Sequence, residues 1–317
     1  MYFSGSEASF STPHLYITAL ARWPRNLEPC RGWKDHFSVF TMLKLRGGTL
    51  LIPVPMEIGP SSVIAFSRDD LKIVTGSRKG FIRVRDASTG KVHKELKSYT
   101  RVRSLAFSDD GTWIVSGSGN KVQVWDASTG EMLNVLKGHT KSVTSVTFSN
   151  DKSWIVSGSS DKSVRLWDAS TGVILKVLEG HTKGVLSVAI STRNNSAWVA
   201  SGSDDESVRL WHVPSGTVFK LFVMKGHNGG VLSVAFSSCG SRLVSGSRDQ
   251  IVRVWELMDD KVSSVIHCWH HAPVSSVAFS PSGTRFFSGS CQNNLVKEWD
   301  GSDGDFLCDF TGYKLIR

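Results

Sequence analysis

Ser145-Val-Thr-Phe-Ser149, near the middle of a 317-residue chain, is the stretch whose reading decides the architecture. It recurs as Ser104-Leu-Ala-Phe-Ser108, Ser187-Val-Ala-Ile-Ser191, Ser233-Val-Ala-Phe-Ser237 and Ser276-Val-Ala-Phe-Ser280, with a weaker copy at Val63-Ile-Ala-Phe-Ser67. The anchors Phe66, Phe107, Phe148, Ile190, Phe236 and Phe279 lie 41, 41, 42, 46 and 43 residues apart. Self-similarity at such a period marks an array of equivalent units, so it is read before any local feature.

Within one unit the local signals agree. Apolar and small polar residues alternate through Lys141–Phe148, as a half-buried strand requires. Asn150-Asp-Lys reads as a turn, Trp154–Gly158 as a second strand, and Ser160-Asp-Lys as a tight turn into a third strand, Val164–Trp167. Asp168-Ala-Ser-Thr-Gly172 is a further turn, repeated unchanged as Asp86–Gly90 and Asp126–Gly130, before an outer strand at Val173–Leu178. Four short antiparallel strands bury neither face alone. Each sheet therefore has to stack on its neighbours around an axis, one unit to one blade. The fold class is all-β.

Composition fits this and narrows the function classes. The 29 glycines, with many Ser and Thr, point to many turns rather than long helices. No apolar run approaches the ~18 residues that a transmembrane helix needs, which argues against membrane insertion. The opening MYFSGSEASFST lacks the basic and apolar regions of a secretory signal. The five cysteines, Cys30, Cys239, Cys268, Cys291 and Cys308, are scattered and never spaced CxxC, so neither a disulfide framework nor a zinc ribbon is present. That usage points to an intracellular, cytoplasmic protein. A net charge of +9 raises nucleic acid as a partner. The basic residues are spread singly through the strands, however, and the charge reads mainly as solubility.

Two dipeptides recur in register with the repeat. Gly-His stands at Gly138-His139, Gly180-His181 and Gly226-His227; Trp-Asp or a near relative stands at Trp125-Asp126, Trp167-Asp168, Trp211-His212, Trp255-Glu256 and Trp299-Asp300. With the period, these resemble the WD40 repeat family. The resemblance implies a WD40 β-propeller of six four-stranded blades over residues 61–310. Residues 1–60 form an N-terminal connector that adds at most part of a seventh blade, and 311–317 form a short tail. In the connector, Thr49-Leu-Leu-Ile-Pro-Val54 suits one outer strand, since Pro53 and Pro55 keep it off a central position. Ser11-Thr-Pro-His-Leu-Tyr-Ile-Thr-Ala-Leu20 resembles the connector that precedes the propeller in fungal NACHT–WD40 sensor proteins, the vegetative-incompatibility class. The phosphate-binding GxxxxGK[ST] loop of such sensors is nowhere in the chain.

The family resemblance also implies a structural hydrogen-bonded tetrad inside each blade. It maps onto His139, Ser157, Asp161 and Trp167, then His181, Ser201, Asp205 and Trp211, then His227, Ser245, Asp249 and Trp255. The second copy has Tyr99 and Asn120 in place of His and Asp, and the sixth has Gln292 or Asn293 in place of Asp beside His270 and Ser288. The first has Thr75, with Lys79 and Arg85 where Asp and Trp would stand, so its blade should be held least firmly.

Three constellations invite a chemical reading. Ser, His and Asp together suggest a hydrolase triad, but the same trio in three blades beside a Trp is a structural device. No catalytic residue is assigned. His267-Cys-Trp-His-His271 has metal-ligand chemistry, yet no second Cys/His pair accompanies it, and neither metal nor cofactor is expected. Trp113, Trp154 and Trp198 hold one equivalent position, filled elsewhere by Lys72, Arg242 and Arg285. These rings are either an exposed patch for a partner or, the favoured reading, half-buried covers over the neighbouring blade.

By resemblance, the binding surface is the face built from the Gly-His loops, the starts of the inner strands and the turn before each blade's Asp. Aligned positions diverge there, through Arg78, Arg101, Arg103, Thr144, Leu186, Asp204, Leu232 and Arg248. The expectation is a non-catalytic scaffold that binds protein partners on this rim, where Arg78, Arg101 and Arg103 form a basic sector. The alternative is a propeller associated with nucleic acid through the same arginines. A propeller enzyme would need convergent acids or metal ligands near the axis, where the inner strands offer mostly Ser, Val, Ala and Thr.

Overall fold

The computed structural model describes residues 63–98, 100–193, 196–214, 220–257, 262–280, 282–290, 292 and 295–311. Among them are six four-stranded antiparallel sheets and no helix. The first sheet is β1 (Val63–Phe66), β2 (Lys72–Gly76), β3 (Phe81–Asp86) and β4 (Val92–Lys97). The second is β5 (Val102–Phe107), β6 (Trp113–Ser118), β7 (Lys121–Asp126) and β8 (Met132–Lys137). The third is β9 (Val143–Phe148), β10 (Trp154–Ser159), β11 (Val164–Asp168) and β12 (Ile174–Leu178). The fourth is β13 (Val185–Arg193), β14 (Ser196–Ser203), β15 (Val208–Pro214) and β16 (Lys220–Met224). The fifth is β17 (Val231–Phe236), β18 (Arg242–Ser247), β19 (Ile251–Leu257) and β20 (Val262–Trp269). The sixth is β21 (Ser276–Phe279), β22 (Arg285–Ser290), β23 (Leu295–Asp300) and β24 (Phe306–Thr311).

Each sheet is a simple meander, its strands hydrogen-bonded in chain order. The turns are made by side chains as the sequence suggests. In Asp168–Gly172, Asp168 Oδ1 accepts the Ser170 and Thr171 N–H groups at 3.0 and 2.7 Å, and Gly172 takes φ 73°, a value that disfavours any residue with a Cβ. The expected partial seventh blade and the Thr49–Val54 strand fall on residues outside those described.

Neighbouring sheets are joined by apolar clusters. At the second-to-third junction Val115, Val122, Val124 and Leu136 pack against Val143, Val146, Phe148, Ile155 and Trp167, all buried. Equivalent clusters join sheets one and two, three and four, four and five, and five and six. Burying such faces supplies the main stabilisation of a stacked array.

A second joint was not legible as such. Val146 N–H donates to Ser104 Oγ of the preceding sheet at 3.0 Å, and Val188, Val234 and Val277 repeat this onto Ser145, Ser187 and Ser233 at 3.1, 3.2 and 3.1 Å. The first serine of the repeated segment is thus a rivet between blades. Its recurrence in five copies was the available signal.

Candidate functional site

Within the third, fourth and fifth sheets the residues of the tetrads lie beside one another. In the third sheet, Trp167 Nε1–H donates to Ser157 Oγ at 2.8 Å, Ser157 lies 2.8 Å from His139 Nε2, and His139 Nδ1 lies 2.8 Å from Asp161. Asp161 also accepts the Thr140 N–H at 3.0 Å, tying the Gly-His loop to the turn before β11. The fourth sheet repeats His181–Ser201 at 2.6 Å and His181–Asp205 at 2.8 Å, with Trp211 edge-on to the imidazole at 5.8 Å. The fifth has His227–Ser245 and His227–Asp249 at 2.8 Å and Trp255–Ser245 at 2.9 Å.

The electrostatics suit a neutral imidazole. Burial pushes His139 and His181 down, more than the neighbouring carboxylates push them up. Burial alone would raise Asp161, but hydrogen bonds from Ser163, His139 and the Thr140 N–H outweigh it and bring it to about 2; Asp205 behaves alike. The neutral ring therefore donates from Nδ1 to the carboxylate and accepts the serine proton at Nε2. Ser157 and Ser201 are fully buried and already engaged by His, and Ser157 by Trp as well.

The sixth sheet keeps part of this chain. Trp299 donates to Ser288 at 2.7 Å and Ser288 lies 3.0 Å from His270 Nε2. Gln292 stands in the Asp slot but is exposed, and His270 Nδ1 is buried without a hydrogen-bond partner. In the second sheet Trp125 donates to Ser116, and Asn120 bonds the His139 carbonyl; Tyr99 lies outside the described residues. In the first, Arg85 is itself buried and donates to the Gly90 carbonyl at 3.0 Å, so the Trp slot there holds a cation rather than nothing.

Along β20 the metal-like cluster disperses. His267 meets Arg253, Cys268 is buried with its thiol pushed up to about 12, His270 turns to Ser288, and Trp269 is 68% exposed. The tryptophans at the strand starts are half-buried. Trp113, Trp154 and Trp198 pack against the junction with the next sheet, Trp113 beneath Lys152 at 3.8 Å and Trp198 stacked on His212 at 4.4 Å. Their equivalent Arg285 is no free surface charge, because it pairs with the buried Glu298.

The rim residues converge. Arg101, Arg103, Thr144, Leu186, Asp204, Leu232 and Arg248 line one axial cavity of about 440 Å³, together with Val63 of the first sheet and Ser275 before the sixth. Six sheets thus face one axis. Arg78, in the same turn slot as Asp204 and Arg248, is exposed but stands outside the described lining. Two further features could not be read from the alignment. Arg248 and Asp204 form an ion pair across the fourth-to-fifth junction at 2.8 Å. A Cβ at Gly230 would come within 2.6 Å of Asp204 Oδ1, so glycine permits that approach. Thr144 has spent its hydroxyl on the Gly158 and Val185 carbonyls, at 2.9 and 2.7 Å, which makes it a joint as well as a lining residue.

Comparison with known proteins follows the same pattern. The family described as WD domain, G-beta repeat, matches residues 90–126, 130–168, 172–212, 219–256 and 263–300. Each matched unit starts near an outer strand and ends at the Trp-Asp position, so it straddles two sheets; most of the first sheet precedes the first unit. The nuclear distribution protein nudF of Emericella nidulans is 38% identical over 82 residues, 25% of this chain and 18% of that protein. WD repeat and SOCS box-containing protein 1 of Homo sapiens is 42% identical over 84 residues, 25% of this chain and 20% of its own. The intraflagellar transport protein 122 homolog of Xenopus tropicalis is 38% identical over 74 residues, 23% of this chain and 6% of its own. The chain thus spans a fifth or less of each of these relatives. Among the described residues no helix is long and apolar enough to cross a membrane.

Proposed function

The chain belongs to the WD40 repeat family, and from that premise we propose that it is a non-catalytic scaffold that binds protein partners at the mouth of its axial cavity. The observation that carries this reading is the convergence of positions that differ from blade to blade, Arg101, Arg103, Leu186, Asp204, Leu232 and Arg248, on one rim. These aligned positions differ in size and charge from blade to blade, so the ring is where one partner can be told from another. Mixed charge and two half-buried leucines suit a polypeptide with an acidic contact segment and an apolar residue beside it. Cysteine usage supports an intracellular, cytoplasmic setting. The resemblance of residues 11–20 to the fungal NACHT–WD40 connector supports placing the propeller as the sensing half of such a protein.

The experiment is capture of proteins from native lysate, before and after nuclease treatment. Wild-type protein should retain partners that a variant with Arg101→Glu and Arg103→Glu loses, and nuclease should leave them in place. Nucleic acid, favoured by the net charge of +9, is the second reading. It predicts release by nuclease and a steep loss of binding with added salt.

A further inference from the structure

In the third, fourth and fifth blades the chain of hydrogen bonds from the buried Trp ends on a carboxylate; in the sixth it ends on a buried ring N–H. In those three blades an Asp Oδ2 stands 2.8 Å from the His Nδ1. The same oxygen accepts the N–H of the next loop residue, Thr140, Thr182 or Asn228, at 3.0, 2.9 and 3.0 Å. In the sixth blade the chain is intact as far as the imidazole. Trp299 donates to Ser288, and the Ser288 hydroxyl donates to His270 Nε2, so the neutral ring carries its hydrogen on Nδ1. His270 is 2% exposed, and that Nδ1 has no hydrogen-bond partner among the described residues. A buried donor without an acceptor is costly, and native structures leave few of them.

The backbone that carries the acceptor in other blades is in position here. Gln292 N–H reaches Ser290 Oγ at 3.4 Å, as Asp161, Asp205 and Asp249 reach Ser159, Ser203 and Ser247 at 3.1, 3.1 and 3.2 Å. The Gln292 side chain, however, is exposed. The turn is also one residue longer: Ser288 and Trp299 are 11 residues apart, against 10 from Ser157 to Trp167 and from Ser245 to Trp255. The surroundings keep the sign that a carboxylate needs. Lys297 holds the register position of Arg165, opposite the blade's serine, and its charge acts on His270 as that of Arg165 acts on His139. The slot also lies at the surface. Asp161, Asp205 and Asp249 keep 7, 6 and 6% of their side-chain exposure in it, and His271 and Gln292, which flank it in the sixth blade, are exposed.

We infer that the sixth blade binds a carboxylate from outside the chain, one oxygen of which accepts from His270 Nδ1 and, as in the other blades, from the N–H of the next residue, His271. The slot takes the planar, singly charged group that three other blades hold there. An Asp or Glu side chain of a partner and a small free carboxylate both present that group. The place of the slot favours the side chain. It directly follows the turn position held by Asp204 and Arg248 in their blades, which line the axial cavity, so this choice of source rests on the reading of that rim as the binding face.

The test follows the imidazole nitrogen and N–H signals of the full chain, labelled with nitrogen-15 in histidine, at pH 7.5, where His270 is neutral. The probes are sodium acetate and the capped peptide acetyl-Gly-Asp-Gly-amide, with sodium chloride at matched ionic strength as control. Each probe should shift the His270 Nδ1–H proton downfield and saturably. The signals of His139, His181 and His227 should stay in place, because their own aspartates already accept from them. Tighter binding of the peptide than of acetate identifies a partner side chain as the source, and equal or weaker binding identifies a small free carboxylate. Gln292→Asp supplies the group from within the chain and should abolish the response to both probes. No saturable shift, the same shift with chloride, or an undiminished response in Gln292→Asp would overturn the inference. The acetate arm needs no partner, so its outcome is independent of whether the rim is the binding face.

Discussion

Arg248 and Asp204 face each other at 2.8 Å across the fourth-to-fifth junction, joining two turns that the repeat places in the same slot of consecutive blades. Both side chains are substantially solvated, at 50% and 35% exposure, so the pair adds little to stability, about 0–1 kcal/mol. Its consequence is for the field at the cavity mouth. Asp204 balances the charge of Arg248 there, so removing its carboxylate leaves the mouth one charge more positive.

We therefore expect Asp204→Asn to leave the thermal midpoint nearly unchanged and to speed association with an acidic partner, most strongly at low salt. Stopped-flow or surface-binding kinetics at two ionic strengths decide the matter. A slower association would mean that Asp204 contacts the partner directly.

The tetrads make a stability prediction. Trp167 is 1% exposed and packed in the second-to-third cluster, so Trp167→Ala should cost about 3–5 kcal/mol. Arg85 holds the equivalent slot in the first blade, where there is no buried indole to lose, so Arg85→Ala should cost less. Urea midpoints compare the two directly. Equal shifts would contradict the assignment of the first blade as the least firmly held.

How far the sequence reached can be judged from particular residues. The five Phe anchors and Ile190 placed every sheet, because units repeating every 41–46 residues bury their four-stranded sheets by stacking on one another. The Asp161, Asp205 and Asp249 partners were legible only through the family resemblance, whose physical sense is that buried His and Trp need fixed hydrogen bonds. The Arg248–Asp204 pair was not, since alignment gives a slot but not the direction of a side chain. Glu298 was missed for a different reason. A single charge in a strand reads as solvent-facing, and only the sheet register shows it on the buried side. Arg285, expected near solvent, follows from it.

The sixth blade should be the acid-sensitive one. Burial and the nearby Lys297 push His270 down to about 4, from 6.5 in an ordinary environment. As pH falls through 6.5 the unfolded chain gains a proton that the folded chain refuses until about pH 4. The stability that this group contributes is therefore complete above pH 6.5 and is lost between 6.5 and about 4. Gln292→Asp puts a carboxylate where Asp161 stands in the third blade and gives His270 Nδ1 a partner. It should add about 1–2 kcal/mol near neutral pH, raise the His270 pKa and flatten the loss toward pH 5. Denaturation midpoints of both proteins at pH 7.5 and pH 5 check this, and parallel curves would show that the carboxylate does not reach the ring.

The most direct measurement of the central claim, that the cavity mouth is the binding face, is the kinetics of one captured partner against two charge-reversal variants. Arg101→Glu with Arg103→Glu alters the rim, and Lys72→Glu with Lys91→Glu alters the opposite face, where these lysines flank the turns joining β1 to β2 and β3 to β4. The account predicts that the rim variant slows association more than it speeds dissociation and that the opposite-face variant matches wild type. Equal weakening by the two variants would contradict it.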